Sequence, residues 1–93
     1  MKIIVREAAY RDLDEIHTWI ARDRPAAADR MIDRIVKSTE LLGHFPYIGH
    51  AGRTPDTLEW VVTGTPYIVV YTIDHEAEDL TVVAVFHGSR NRQ

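Results

Sequence analysis

The 93-residue sequence predicts an α+β fold of order β-α-α-β-β-β, a helical hairpin packed on one face of a mainly antiparallel four-stranded sheet. Three observations carry this expectation. Two long stretches with apolar residues at helical spacing are separated only by Asp23-Arg24-Pro25. Three short apolar runs then follow one another, divided by turn-forming residues. A further short apolar run, Ile3-Ile4-Val5, precedes the first helical pattern.

Taken in order, residues 2–6 read as a strand bracketed by Lys2 and Arg6, whose place in the sheet the sequence does not reveal. Over residues 8–22, Ala9, Leu13, Ile16 and Ile20 recur on one helical face, and Arg11, Asp12, Asp14 and Glu15 take the other. Pro25 suits the first turn of a second helix, where its missing N–H would have no partner anyway. That helix is expected to run to Leu42, with Ala28, Met31, Ile32, Ile35, Val36, Thr39 and Leu42 as its apolar stripe. Gly43 reads as its stop. The short joint makes the helices antiparallel neighbours. Pro46, Gly49, Gly52 and Pro55 mark residues 44–57 as a connecting loop. Strands are expected at 58–62, 67–73 and 80–87, with Thr63-Gly64-Thr65 and the acidic segment 74–79 as turns. Ile68-Val69-Val70-Tyr71 is apolar throughout and belongs in mid-sheet.

Composition narrows the function classes. The length allows one domain, spanning residues 1–93, and the balance of 45% apolar to 27% charged residues is that of a globular protein. With no cysteine, disulfide frameworks and zinc–cysteine sites are excluded. No apolar run reaches the ~18–20 residues of a membrane span, and the early charges of Lys2 and Arg6 do not suit a signal peptide, so a cytoplasmic protein is expected. The net charge of −3 offers no global excess for gripping phosphates. A local basic group exists only at the C-terminus, where Arg90 and Arg92 lie in a stretch free of acids.

Five histidines (His17, His44, His50, His75, His87) stand singly and show no metal-ligand spacing, so neither a metal nor a cofactor is expected. His87 ends a strand just before Gly88 and Arg90, where an imidazole could exchange protons with a phosphodiester and a guanidinium could brace the developing charge. A histidine that merely finishes the sheet explains the same position. Trp19 and Trp60 read more simply as core packing than as base-stacking platforms. These patterns reach an α+β domain with a basic tail, and no activity.

The last third of the chain adds more. Gly64-Thr65-Pro66-Tyr67-Ile68-Val69-Val70-Tyr71, followed by Val83-Ala84-Val85-Phe86-His87-Gly88-Ser89-Arg90, resembles the end of RelE/ParE-family toxins, in which G-x-P-Y-x-V-x-Y precedes a strand ending in H-G-x-R. The segment 45–53 is similar to the family's P-x-x-G-x-x-G-R loop, and Asp12-Leu13-Asp14-Glu15-Ile16 and the Pro25-Ala26-Ala27-Ala28 opening also match. The resemblance therefore spans nearly the whole chain and implies the toxin component of a type II toxin–antitoxin system, closer to ParE than to RelE.

Two activities are implied for that scaffold: mRNA cleavage in the ribosome by RelE-type members, and inhibition of DNA gyrase by ParE-type members. This chain departs from the nuclease type in three places. Ile68 follows Tyr67 where an arginine is usual, Leu58-Glu59-Trp60-Val61-Val62 lacks the lysines of that strand, and no aromatic follows His87. The resemblance thus implies a gyrase inhibitor with Arg90 and Arg92 contacting the target. The alternatives are a cleaving set of His87, Arg53 and Glu59, or an inactive member that only binds its antitoxin. All three readings imply a ParD-like antitoxin whose C-terminal segment lays an amphipathic helix on the helical hairpin and can add a strand. Trp19 and Ile20 are the candidate receiving residues. Neither a membrane partner nor direct sequence-specific binding of nucleic acid is expected.

Overall fold

The computed structural model describes residues 1–89. Its elements are β1 (Lys2–Val5), α1 (Glu7–Ala21), α2 (Pro25–His44), β2 (His50–Ala51), β3 (Leu58–Val61), β4 (Tyr67–Asp74) and β5 (Asp79–His87). The strands form one five-stranded sheet in the order β1-β5-β4-β3-β2. β1 runs parallel to β5, and every other pairing is antiparallel. The parallel placement of β1 follows from its connection. The chain leaves β1, returns through both helices and the meander, and brings β5 back beside its start.

The hairpin of α1 and α2 covers one face of the sheet. Ala9 and Ile16 from α1, and Ile35 and Leu42 from α2, meet Val69, Tyr71, Leu80, Val82 and Val85 in the core. Burying a side chain the size of Ile35 or Leu80 contributes about 1.5–3 kcal/mol, so this single layer supplies most of the driving force. β4 lies at the centre, as its apolar run requires, and alternates Tyr67, Val69 and Tyr71 toward the helices with Ile68 and Val70 toward the open face.

Several expectations need correction. The segment 44–57 is not loop throughout: His50 and Ala51 pair with Glu59 and Leu58, adding a fifth strand where four were expected. Two residues surrounded by glycines and prolines are too short for any periodicity to mark them. Gly43 does not stop α2, which continues to His44. A Cβ at Gly43 would stand 3.0 Å from Ile3 Cδ1 and 3.3 Å from the Met1 carbonyl oxygen, so this glycine lets β1 lie close against the helix. Asp12 is not simply on a solvated face. Its Oδ2 accepts the Val85 N–H at 2.9 Å, on the edge of β5 that β1 leaves unpaired beyond Val5. Trp19 does not pack into the core: it is 60% exposed. Trp60 does pack against the core.

One irregularity governs the rest of β5. Val70 pairs with Ala84 but Tyr71 pairs with Val82, leaving Val83 as a bulge residue. The alternation of β5 is reset there. Leu80 and Val82 face the helices, and beyond the bulge Val85 and His87 do so, whereas Phe86 turns to the open face.

Candidate functional site

The open face of the sheet holds a cleft of about 370 Å³ lined by Arg53, Thr54, Thr57, Glu59, Val70 and Phe86, among others. Its wall is the segment that joins α2 to β3, and buried hydroxyl and carboxylate groups hold that segment in place. Tyr71 is fully buried, and its hydroxyl donates to the Pro46 carbonyl at 2.8 Å while accepting the Gly49 N–H at 3.1 Å. A Cβ at Gly49 would stand 2.5 Å from that hydroxyl and 2.8 Å from the Glu59 carbonyl oxygen, so the position admits only glycine without a shift of backbone. Burial pushes the Tyr71 phenol above its ordinary value near 10, and the Gly49 N–H bond partly opposes this. The second half of the segment closes on itself, with Gly52 N–H donating to the Thr57 carbonyl at 2.8 Å and the Thr57 hydroxyl to the Thr54 carbonyl at 2.6 Å.

Glu59 is 5% exposed, and its Oε2 accepts the Arg53 N–H at 3.0 Å. The carboxylate thereby fixes the backbone from which the Arg53 side chain extends across the cleft. The guanidinium carbon lies 5.3 Å from the centre of the Phe86 ring, within cation–π range. Arg53 and Glu59, two of the three candidate residues for a cleaving set, are therefore together.

His87 is not with them. It lies across the sheet, edge-on to Tyr67 at 5.3 Å between ring centres, and lines a different cleft beside Asp12, Glu15 and Trp19. Its Nδ1 accepts the Ser89 N–H at 3.1 Å and contacts the Ser89 hydroxyl at 2.7 Å. A ring nitrogen that accepts a backbone N–H carries no proton of its own, so the neutral imidazole holds its proton on Nε2. The set His87, Arg53 and Glu59 is thus divided by the thickness of the sheet, because the Val83 bulge reverses the face that His87 would take under strict alternation.

The remaining candidates separate as well. Trp19 stands exposed on α1 with the Arg22 guanidinium 5.2 Å from its ring centre. Ile20, the other candidate receiving residue, is partly buried and packs against the core. Arg90 and Arg92 lie outside the described residues. Sequence reasoning missed the structural weight of Tyr71 and Asp12. A tyrosine within a mid-sheet apolar run, 22 residues from Gly49, carried a signal only for a buried ring needing a hydroxyl partner. Among the described residues, no three histidine or carboxylate side chains gather as a metal-binding group.

A helical hairpin on a five-stranded mixed sheet matches the architecture of solved RelE/ParE toxin structures. The fold is shared at a TM-score of 0.83 with a chain of the chromosomal ParDE toxin–antitoxin system of P. aeruginosa, 16% identical over 94% of this chain and 95% of that one. It is shared at 0.71 with a chain of the toxin–antitoxin complex RelBE2 of Mycobacterium tuberculosis, 23% identical over 92% and 95% of the two chains. A curated Sinorhizobium fredii (strain NBRC 101917 / NGR234) protein called "Putative toxin Y4kP" is 41% identical over 75 residues, 81% of this chain and 78% of that protein. The family model described as the ParE toxin of the type II toxin–antitoxin system parDE matches residues 3–92. The chain belongs to the ParE toxin family of type II toxin–antitoxin systems.

Proposed function

We propose that this toxin acts by binding DNA gyrase in the cytoplasm rather than by cleaving RNA. The separation of His87 from Arg53 and Glu59 carries the reading. General acid–base cleavage of a phosphodiester needs a proton carrier and a charge-stabilising group within reach of the same phosphate. On the open face the guanidinium rests on Phe86 and the carboxylate is committed to a backbone N–H. The neighbouring Ile68 and Val70 add apolar surface and no charge. Such a face suits a protein target better than an RNA strand. In this reading Arg90 and Arg92 contact gyrase, and a cognate ParD-like antitoxin covers the toxin until it is released. The M. tuberculosis relative is itself described as a toxin–antitoxin complex. Trp19, like Tyr10, is an exposed large side chain on α1 available to such a partner.

The test is a gyrase assay with purified, antitoxin-free protein, scoring supercoiling and trapped cleaved DNA. Inhibition with accumulated cleavage, abolished by the pair Arg90→Ala and Arg92→Ala, is the expected result. Ribosome-dependent mRNA cleavage that is lost in His87→Ala, with gyrase untouched, would overturn the reading.

A further inference from the structure

On the helix-covered side of the sheet, a second cleft of about 220 Å³ opens between α1 and the adjoining ends of β4 and β5. Its lining includes Asp12, Glu15, Trp19, Tyr67 and His87. Neither the Arg53 loop nor the hydrogen bonds that anchor it reach this cleft. Its two carboxylates make it acidic, and most of their accepting capacity is unspent among the described residues. Glu15 has no ionic or hydrogen-bonding partner among the described residues, and Asp12 spends only Oδ2, on the Val85 N–H. Tyr67 is 6% exposed, yet among the described residues its hydroxyl has no hydrogen-bond partner. The ring is enclosed while the hydroxyl stays open at the cleft, which leaves space there for a partner.

We propose that this cleft receives an arginine side chain presented by a segment of a partner protein. The groups around it match a guanidinium. Two carboxylates supply charge, and the Tyr67 hydroxyl adds a neutral acceptor. The planar fork of five N–H donors can meet several such acceptors at once, which a single ammonium cannot. Trp19 forms the outer wall, and its ring already takes a guanidinium, that of Arg22, at 5.2 Å. His87 also lines the cleft, and with Nδ1 accepting the Ser89 N–H its neutral ring has no free acceptor nitrogen to offer a cation. The assignment does not depend on whether the toxin's target is gyrase or RNA.

The probe is the blocked tripeptide acetyl-Gly-Arg-Gly-amide, titrated into the full chain while the Trp19 indole N–H is followed by NMR. Citrulline and lysine versions serve as the uncharged and the non-planar controls. A saturable shift in the range of ~1 mM is expected, weaker by about tenfold for citrulline and measurably weaker for lysine. Glu15→Gln, an exposed position whose change leaves the core intact, is expected to weaken binding about two- to fivefold. Tyr67→Phe is expected to weaken it again while leaving the amide spectrum of the sheet in place. Absence of saturation, or equal binding of the citrulline peptide, would overturn the proposal. Unchanged affinity in both Glu15→Gln and Tyr67→Phe would do the same, and equal binding of the lysine peptide would overturn the choice of guanidinium.

Discussion

Tyr71→Phe isolates what holds the Arg53 loop over the open face. The substitution keeps the buried ring and deletes one oxygen, which both donates to the Pro46 carbonyl at 2.8 Å and accepts the Gly49 N–H at 3.1 Å. Each such bond contributes a net ~1 kcal/mol, and a backbone group left dry would cost more. Pro46 and Gly49 are only half-buried, so water recovers part of the loss. The sum is a destabilisation of about 2 kcal/mol. For a domain of this size, that lowers Tm by about 8–16 °C, at ~4–8 °C per kcal/mol. Urea unfolding followed by tryptophan fluorescence measures it, with the slope m expected to stay unchanged because the surface exposed is the same. The Gly49 amide should also exchange faster with solvent. The pH dependence has a definite sign. Because burial raises the Tyr71 pKa in the folded state, the hydroxyl's contribution is complete below the ordinary phenol value near 10 and is lost as pH climbs through the raised value. The gap between the native protein and Tyr71→Phe should therefore narrow in alkali. A variant within ~0.5 kcal/mol of the native protein, or a Gly49 amide with unchanged exchange, would refute the role assigned to this hydroxyl.

Two further outcomes follow from single contacts. Asp12→Ala strips the Val85 N–H of its acceptor at the uncovered edge of β5, and a loss of about 1–2 kcal/mol in urea unfolding is expected; no loss would mean water serves that N–H equally well. Trp60→Phe removes a buried indole N–H that has no partner, so the usual penalty for trimming a core aromatic should be largely offset, leaving stability within about 1 kcal/mol of native. A loss above ~3 kcal/mol by thermal unfolding would show that the N–H is satisfied in solution.

The sequence by itself determined both helices and four of the five strands. The helices were legible because a buried stripe imposes its 3.6-residue period on fifteen or twenty consecutive residues, as from Ala9 to Ile20. The central position of β4 was legible because both of its faces are apolar. The toxin family was legible because its motifs lie along the chain in order. What the tertiary structure decided was which residues meet. β2 is two residues long and exists only because β3 offers a free edge. Gly43 stays helical because β1 needs its missing side chain. Ile20 turned inward and Trp19 outward, since a stripe drawn at helical spacing does not fix where its edge falls against a neighbour. The bulge at Val83 was decisive for the site. Counting by twos from Leu80 would put His87 beside Glu59 and Arg53, and one extra residue puts it on the other side of the sheet. No local pattern marks that residue, because a bulge is set by how two strands must twist to pack under the helices.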